Sequence, residues 1–288
     1  MMLPLPKFVA ASATAVALAA VAAGCSSTST TSSTGPVAAA DCTPEKMQTQ
    51  TPGQLTVATD KPAYPPYFED NDPTNGKGFE SATAYAIANQ LGYSKSDVKW
   101  VTEPFNSSYA PGPKNFDFDV NQISITPPRE QHVDFSAPYY TANQAVVATK
   151  GSSAADATSL ADLKDATIGV QIGTTSLDAV NSEIQPSSQP KVFNDSNDVV
   201  TALKEGQVDA VVVDLPTALY LTAVQVPDAS IVGQFPAPGG DQWGALLAKG
   251  SSLTGCVSHA IDELKSSGEL GKIQDRWMNK AAQAPTLN

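Results

Sequence analysis

Four stretches of this sequence carry side chains suited to holding a small charged molecule: Asp60 with Tyr64, Ser124 to Arg129, Gly173-Thr174-Thr175, and Asp214. Arg129 is a planar cation whose two-pronged donor fork matches a carboxylate. Gly173-Thr174-Thr175 lies between a strand-like run and a helix-like run, where free backbone N–H groups and the helix dipole favour an anion. Asp214 closes an apolar run and offers a carboxylate to an ammonium. Together they would satisfy an α-carboxylate and an α-ammonium at once. Each also has a plainer reading: Arg129 as a surface ion-pair partner, Thr174 as a helix cap, Asp214 as a loop acid ahead of Pro216. Spacing alone leaves both readings open.

Other chemistries have little material. His132 and His259 are the only histidines, and neither stands at metal-ligand spacing from a second donor. The sequence holds no nucleophile elbow, no phosphate-cradling loop with its lysine and no dinucleotide fingerprint. No cofactor or metal is therefore expected, and the weight falls on binding rather than catalysis. Seventeen Lys and Arg stand against 29 Asp and Glu, a net charge of −12 with no basic patch. That argues against nucleic acid and against anionic lipid surfaces as partners.

The elements that must position these residues alternate. Strand-like runs occur at Leu55–Thr59, Val98–Val101, Val120–Ile125, Ala145–Thr149, Thr167–Gln171, Val192–Phe193 and Asp209–Val213. Helical spacing marks Phe79–Leu91, a stretch ending at Leu163–Asp165, Val199–Glu205, Cys256–Leu264 and the run through Leu270, Ile273 and Trp277. Such alternation predicts an α/β fold of mixed sheets with flanking helices. Ligands bind such sheets beyond the carboxyl ends of the strands, which is where Asp60, Ser124 and Asp214 fall.

The first residues read as an address. Lys7 precedes an apolar run of about 16 residues, Phe8 to Ala23, too short to span a membrane and suited to a signal peptide. Val21 to Cys25 resembles a lipobox, which predicts a lipoprotein signal peptide over 1–24 and lipidation of Cys25. Ser26 to Thr34 is almost all Ser and Thr, so 25–42 reads as a flexible tether. Cys42 and Cys256 remain as one even pair, which suggests a disulfide outside the cytoplasm; two buried thiols are the alternative.

Gln122 to Arg129, Val133 to Tyr140, Gly169 to Thr175 and Gly206 to Asp214 resemble, in order, the signature segments of the polar amino-acid extracellular solute-binding proteins (family 3) of bacterial ABC importers, lipoprotein type. Thr59-Asp60 and Lys77 to Glu80 fit as well. The resemblance implies a two-lobed, type II periplasmic-binding-protein-like fold hinged on two strands. Lobe 1 would be 43–141 plus 234–288 and lobe 2 would be 142–233, with crossings at Tyr139-Tyr140 and Ile231–Phe235. It implies that Arg129 forks onto a ligand α-carboxylate, which the backbone N–H groups of Thr174 and Thr175 hold from the other lobe. Asp214 would take the α-ammonium, with the Gln122 carbonyl and the Ser124 hydroxyl beside it. Tyr64 would stack on the ligand, with Tyr67 or Phe68 able to take that role. Phe105 would form an apolar wall, and Asp60 stands where some members meet a cationic side chain.

The function implied is a monomeric, lipid-anchored receptor on the outer face of the cell membrane. It would capture an amino acid by hinge closure and deliver it to an ABC permease. A ligand-sensing subunit of a membrane receptor is one alternative. A cyclohexadienyl-dehydratase-like enzyme is another, for which Glu80 and Glu103 are the only nearby glutamates; both read better as helix-start and loop residues.

Overall fold

The computed structural model describes residues 41–278 and 284–288. The expected signal peptide, Cys25 and nearly all of the tether lie outside the described residues. Among the described residues, ten strands form two five-stranded mixed sheets. The first has the order β2 (Val98–Thr102), β1 (Leu55–Thr59), β3 (Phe118–Asp119), β10 (Asp241–Ala248), β4 (Val133–Ala142). The second has the order β7 (Lys191–Phe193), β6 (Ile168–Gln171), β8 (Ala210–Asp214), β5 (Gln144–Thr149), β9 (Ala229–Phe235). The two follow one plan: three parallel strands, then two antiparallel ones. In each sheet the parallel strands end at a common edge, so the loops after β1 and β3, and after β6 and β8, occupy matching positions.

The second sheet is covered on both faces, which explains its unbroken Val and Ala runs. Side chains alternate between two cores. Val146, Ala148, Ala210 and Val212 face one core, Ala145, Val147 and Val211 the other. The first face meets α4 (Thr175–Ala179), which continues as a wider turn through Ile184. The second meets α5 (Ser196–Lys204) and α6 (Leu215–Tyr220). The first sheet packs on α1 (Phe79–Gln90), α7 (Thr254–Ser266) and α8 (Glu269–Met278). Cys42 and Cys256 are bonded, with Cα atoms 5.3 Å apart, which fixes the start of the folded body to α7.

Four expectations are corrected. The third strand is not Val120–Ile125 but Phe118–Asp119, because Gln122 adopts a left-handed backbone (φ 49°) that breaks the ladder and turns 120–125 into a loop. The stretch ending at 163–165 is a single 3-10 turn, Leu160–Leu163. Ile231–Phe235 is not a crossing but part of β9 within the second sheet, and Tyr139 and Tyr140 are not one either. They lie inside β4, packed on Phe79 and Trp243, and the chain changes sheet at Asn143 and returns through 236–240. The end of the chain does not stay with lobe 1. Gln234 N donates to Pro285 O at 2.7 Å, Leu287 N to Gln234 O at 2.8 Å, and Leu287 is buried in the second core. Gly233 makes room for it: a Cβ there would stand 2.5 Å from Leu287 Cγ.

Candidate functional site

A cavity of about 430 Å³ opens where the loops beyond β1 and β3 face those beyond β6 and β8. Asp60, Tyr64, Phe105, Gln122, Ser124, Thr174, Thr175 and Asp214 all line it. Arg129 does not. It is carried by α3 (Pro127–Glu130), capped by Thr126, and its buried guanidinium sits over the rings of Tyr109 and Phe105 at 4.6 and 5.4 Å. Nη1 donates to Ser124 O at 2.7 Å and Nη2 reaches across to Gly173 O at 2.9 Å. The cation thus ties the expected anion turn to the first lobe. Burial lowers its basicity, yet a guanidinium stays charged.

The second-lobe side is built from helix starts. Thr174 caps α4, accepting from Leu177 N and donating to Gln171 O at 2.8 Å, and the start of this helix, Thr174 to Ser176, lines the cavity. Gly173 has φ 72°, and a Cβ there would collide with the Tyr109 hydroxyl of the opposite lobe, so only glycine allows this approach. Asp214 ends β8 and receives Gln144 Nε2 at 2.8 Å. Withdrawal from water, and then Asp241 beside it, push its carboxyl well above the usual carboxylate range.

On the first-lobe side, Asp60 uses both oxygens locally, accepting from Lys61 N at 2.6 Å and from Phe105 N at 3.0 Å. It thereby holds the start of α2 (Phe105–Ser108) against the cavity. All three ring candidates line the wall. The Tyr64 hydroxyl donates to Asn197 Oδ1 of the other lobe, the Tyr67 hydroxyl pairs with Thr217 Oγ1 at 2.8 Å, and Phe68 stands edge-on to Trp100. Ser124 Oγ lies 3.3 Å from Thr175 Oγ1.

Behind Gln122 stands Glu80, in the first turn of α1. It is fully buried and takes hydrogen bonds from Gln122 N at 2.7 Å, from Gln122 Nε2 and from the Tyr139 hydroxyl. Burial raises its pKa to about 7 against these bonds. It fixes the unusual Gln122 backbone but does not line the cavity; nor does Glu103. Asp119 is also fully buried, and among the described residues neither of its oxygens has a hydrogen-bond partner. Burial raises its pKa well above the usual range. Sequence reasoning also missed Asn194 to Asn197, which follow β7 and open α5, although the rule that selected the other loops applies to them. Gln144 and Asp241 gave no signal, since both open strands.

Residues 55–280 match the model of the bacterial extracellular solute-binding proteins, family 3. The chain belongs to this family. Among its relatives, the arginine-binding extracellular protein ArtP of Bacillus subtilis is 31% identical over 73% of this chain and 81% of its own length. The L-cystine-binding protein TcyJ of Escherichia coli K12 is 28% identical over 74% and 79%. A solved structure of an ancestral arginine-binding protein bound to glutamine is 33% identical, covers 79% of this chain and 98% of its own, and superposes with a TM-score of 0.66. This family 3 solute-binding protein accordingly has the two-lobed type II fold, and its cavity lies at the junction of the lobes.

Proposed function

We propose that the protein is the substrate-binding subunit of an ABC importer, which closes on an α-amino acid and presents it to the permease. The observation that carries this is the meeting, in one cavity, of a capped helix start (Thr174, Thr175) and a strand-end carboxylate (Asp214) with Ser124 and Gln122 opposite. That set complements the two charged groups every α-amino acid shares. Charged groups leave water at low cost only when paired and hydrogen-bonded, and here the partners come from both lobes. Bound ligand therefore favours the closed arrangement by its differential affinity for it. The relatives' arginine, cystine and glutamine support the class of ligand. Glu80 and Glu103, the glutamates available for proton transfer, stand outside the cavity wall, which supports binding over catalysis.

Lobe 1 then spans 43–142 with 241 to the end of α8, and lobe 2 spans 144–235 with the terminal residues seated on it, the chain crossing at 143 and 236–240. In use, one further N–H of Arg129 turns to the ligand carboxylate while the guanidinium keeps its hold on Ser124. The signal segment and Cys25 supply export and a lipid anchor on the outer face of the cell membrane, and the protein works as a monomer. A thermal-shift screen against the twenty amino acids and cystine tests the reading. A ligand at 100 times its Kd should stabilise the protein by about 2.7 kcal/mol. Asp214→Asn should abolish that shift, and Arg129→Ala should weaken binding at least ~100-fold, the scale of a charged group left unpaired. No shift with any amino acid would overturn the function.

A further inference from the structure

Where the chain changes sheet, Gln144 opens β5 and Asp241 opens β10. Gln144 is fully buried, and its single Nε2 donates to two carboxylates, Asp214 Oδ1 at 2.8 Å and Asp241 Oδ2 at 2.6 Å. Its Oε1 accepts from Ser176 Oγ at 2.6 Å, which fixes the amide with nitrogen toward the two acids. Asp241 Oδ2 also accepts from Thr175 Oγ1 at 2.8 Å, while its Oδ1, in a residue 1% exposed, has no partner among the described residues. One acid comes from the second sheet and one from the first, and they face each other across one nitrogen at the hinge.

Two carboxylates gathered on one amide nitrogen repel each other, and that repulsion favours a proton on one of them where no cation stands between. The other titratable groups acting on Asp214 are Arg129, Glu80, Tyr67 and Tyr140; of these only Arg129 is a cation, and its fork is spent on Ser124 and Gly173. Asp214 lines the cavity and Asp241 does not, so Asp241 acts through Asp214 as a positioning residue.

We propose that Asp214 and Asp241 hold one proton between them, and that an ammonium seating at Asp214 displaces it. This rests on the amino-acid reading of the cavity. In the exchange a carboxyl O–H breaks, its proton passes to solvent, and two carboxylates are left against one ammonium. Affinity then falls as pH drops below the pair's titration, up to tenfold per unit. Gln144 stabilises the ionised pair and Asp241 opposes it, so removing each shifts the titration in opposite directions.

The experiment uses the full chain, with Asp241→Asn and Gln144→Met checked for folding by circular dichroism. Carbon-13 NMR of the side-chain carboxyls, without ligand, should find the pair titrating well above the ordinary range. It should move down in Asp241→Asn and up in Gln144→Met. Calorimetry with L-arginine and L-glutamine in two buffers of different ionisation enthalpy should find about one proton released per ligand below that titration. Asp241→Asn should lose the release. If Asp241 only holds Gln144 and Thr175 in place, its substitution weakens binding equally at every pH and leaves proton release intact, which overturns the proposal. If no amino acid binds, the function proposed above fails, and the carboxyl titration, which needs no ligand, still decides the shared proton.

Discussion

The two lobes share one strand plan and are filled differently. The core on the α1 side of the first sheet holds Tyr67, Phe68, Phe79, Tyr93, Phe118, Tyr139 and Trp243, with Trp100 and Trp277 packed against it, so all three tryptophans belong to it. The cores of the second sheet are Val, Ala, Leu and Ile, with Phe235 the one fully buried ring among the described residues. The difference follows from what each side presents. Rings at the cavity need rings behind them: Tyr67 stands edge-on to Trp243 at 5.6 Å and Phe68 to Trp100 at 5.8 Å. The opposite side presents N–H groups, hydroxyls and a carboxylate, which ask only for a stiff aliphatic sheet to hold the helix starts in place.

Tryptophan emission therefore reports on the first lobe, and far-ultraviolet circular dichroism on both. The largest effect should come from the staple. Its loop spans 214 residues of sequence, and in the chain-entropy account that closure contributes about 5 kcal/mol. Replacing both Cys42 and Cys256 by Ala should move the emission transition to lower denaturant while part of the dichroism persists. Coincident shifts of the two probes would break the comparison.

Glu80 comes next. A carboxyl whose folded pKa rises from 4.5 to about 7 favours folding below its unfolded pKa and loses that advantage as pH climbs through 7. Glu80→Gln removes the dependence, so its stability relative to the parent should improve by roughly 3 kcal/mol between pH 4.5 and pH 8. A flat difference across that range would mean that Glu80 is ionised in the folded protein. The smallest effect, about 2 to 3 kcal/mol, is expected of Leu287→Ala, a buried leucine in the second core. It should lower the dichroism transition and leave emission in place, which would show the chain end to serve lobe 2.

The alternation of elements and the loops after β1, β3, β6 and β8 were legible, because strand and helix periods and the strand-end rule are local. Eight of nine candidate ligand residues reach the cavity for that reason. What escaped was non-local. Arg129 reads in sequence as a carboxylate partner, whereas its fork holds the carbonyls of Ser124 and Gly173, and the second of these bonds depends on how closely the lobes approach. Glu80 looked like a first-turn acid, and only the fold of Gln122 onto it shows why it is buried. Asp241 heads an apolar strand, and nothing near it in sequence foretells Asp214 across the hinge. The crossings were misplaced because aromatic residues fit a hinge strand as readily as a core.

The seat of Leu287 against Gly233 gives the end of the chain a bearing on the lobe opposite its last helix. Met278 is buried in the core of the first sheet, while Ala284 and Leu287 pack on the two faces of the second. Two strands at a hinge fix an axis but not an amplitude. The bonds of Gln234 with Pro285 and Leu287 lie just before the return crossing, so any turn of β9 at the hinge has to carry the terminal residues with it or shed them.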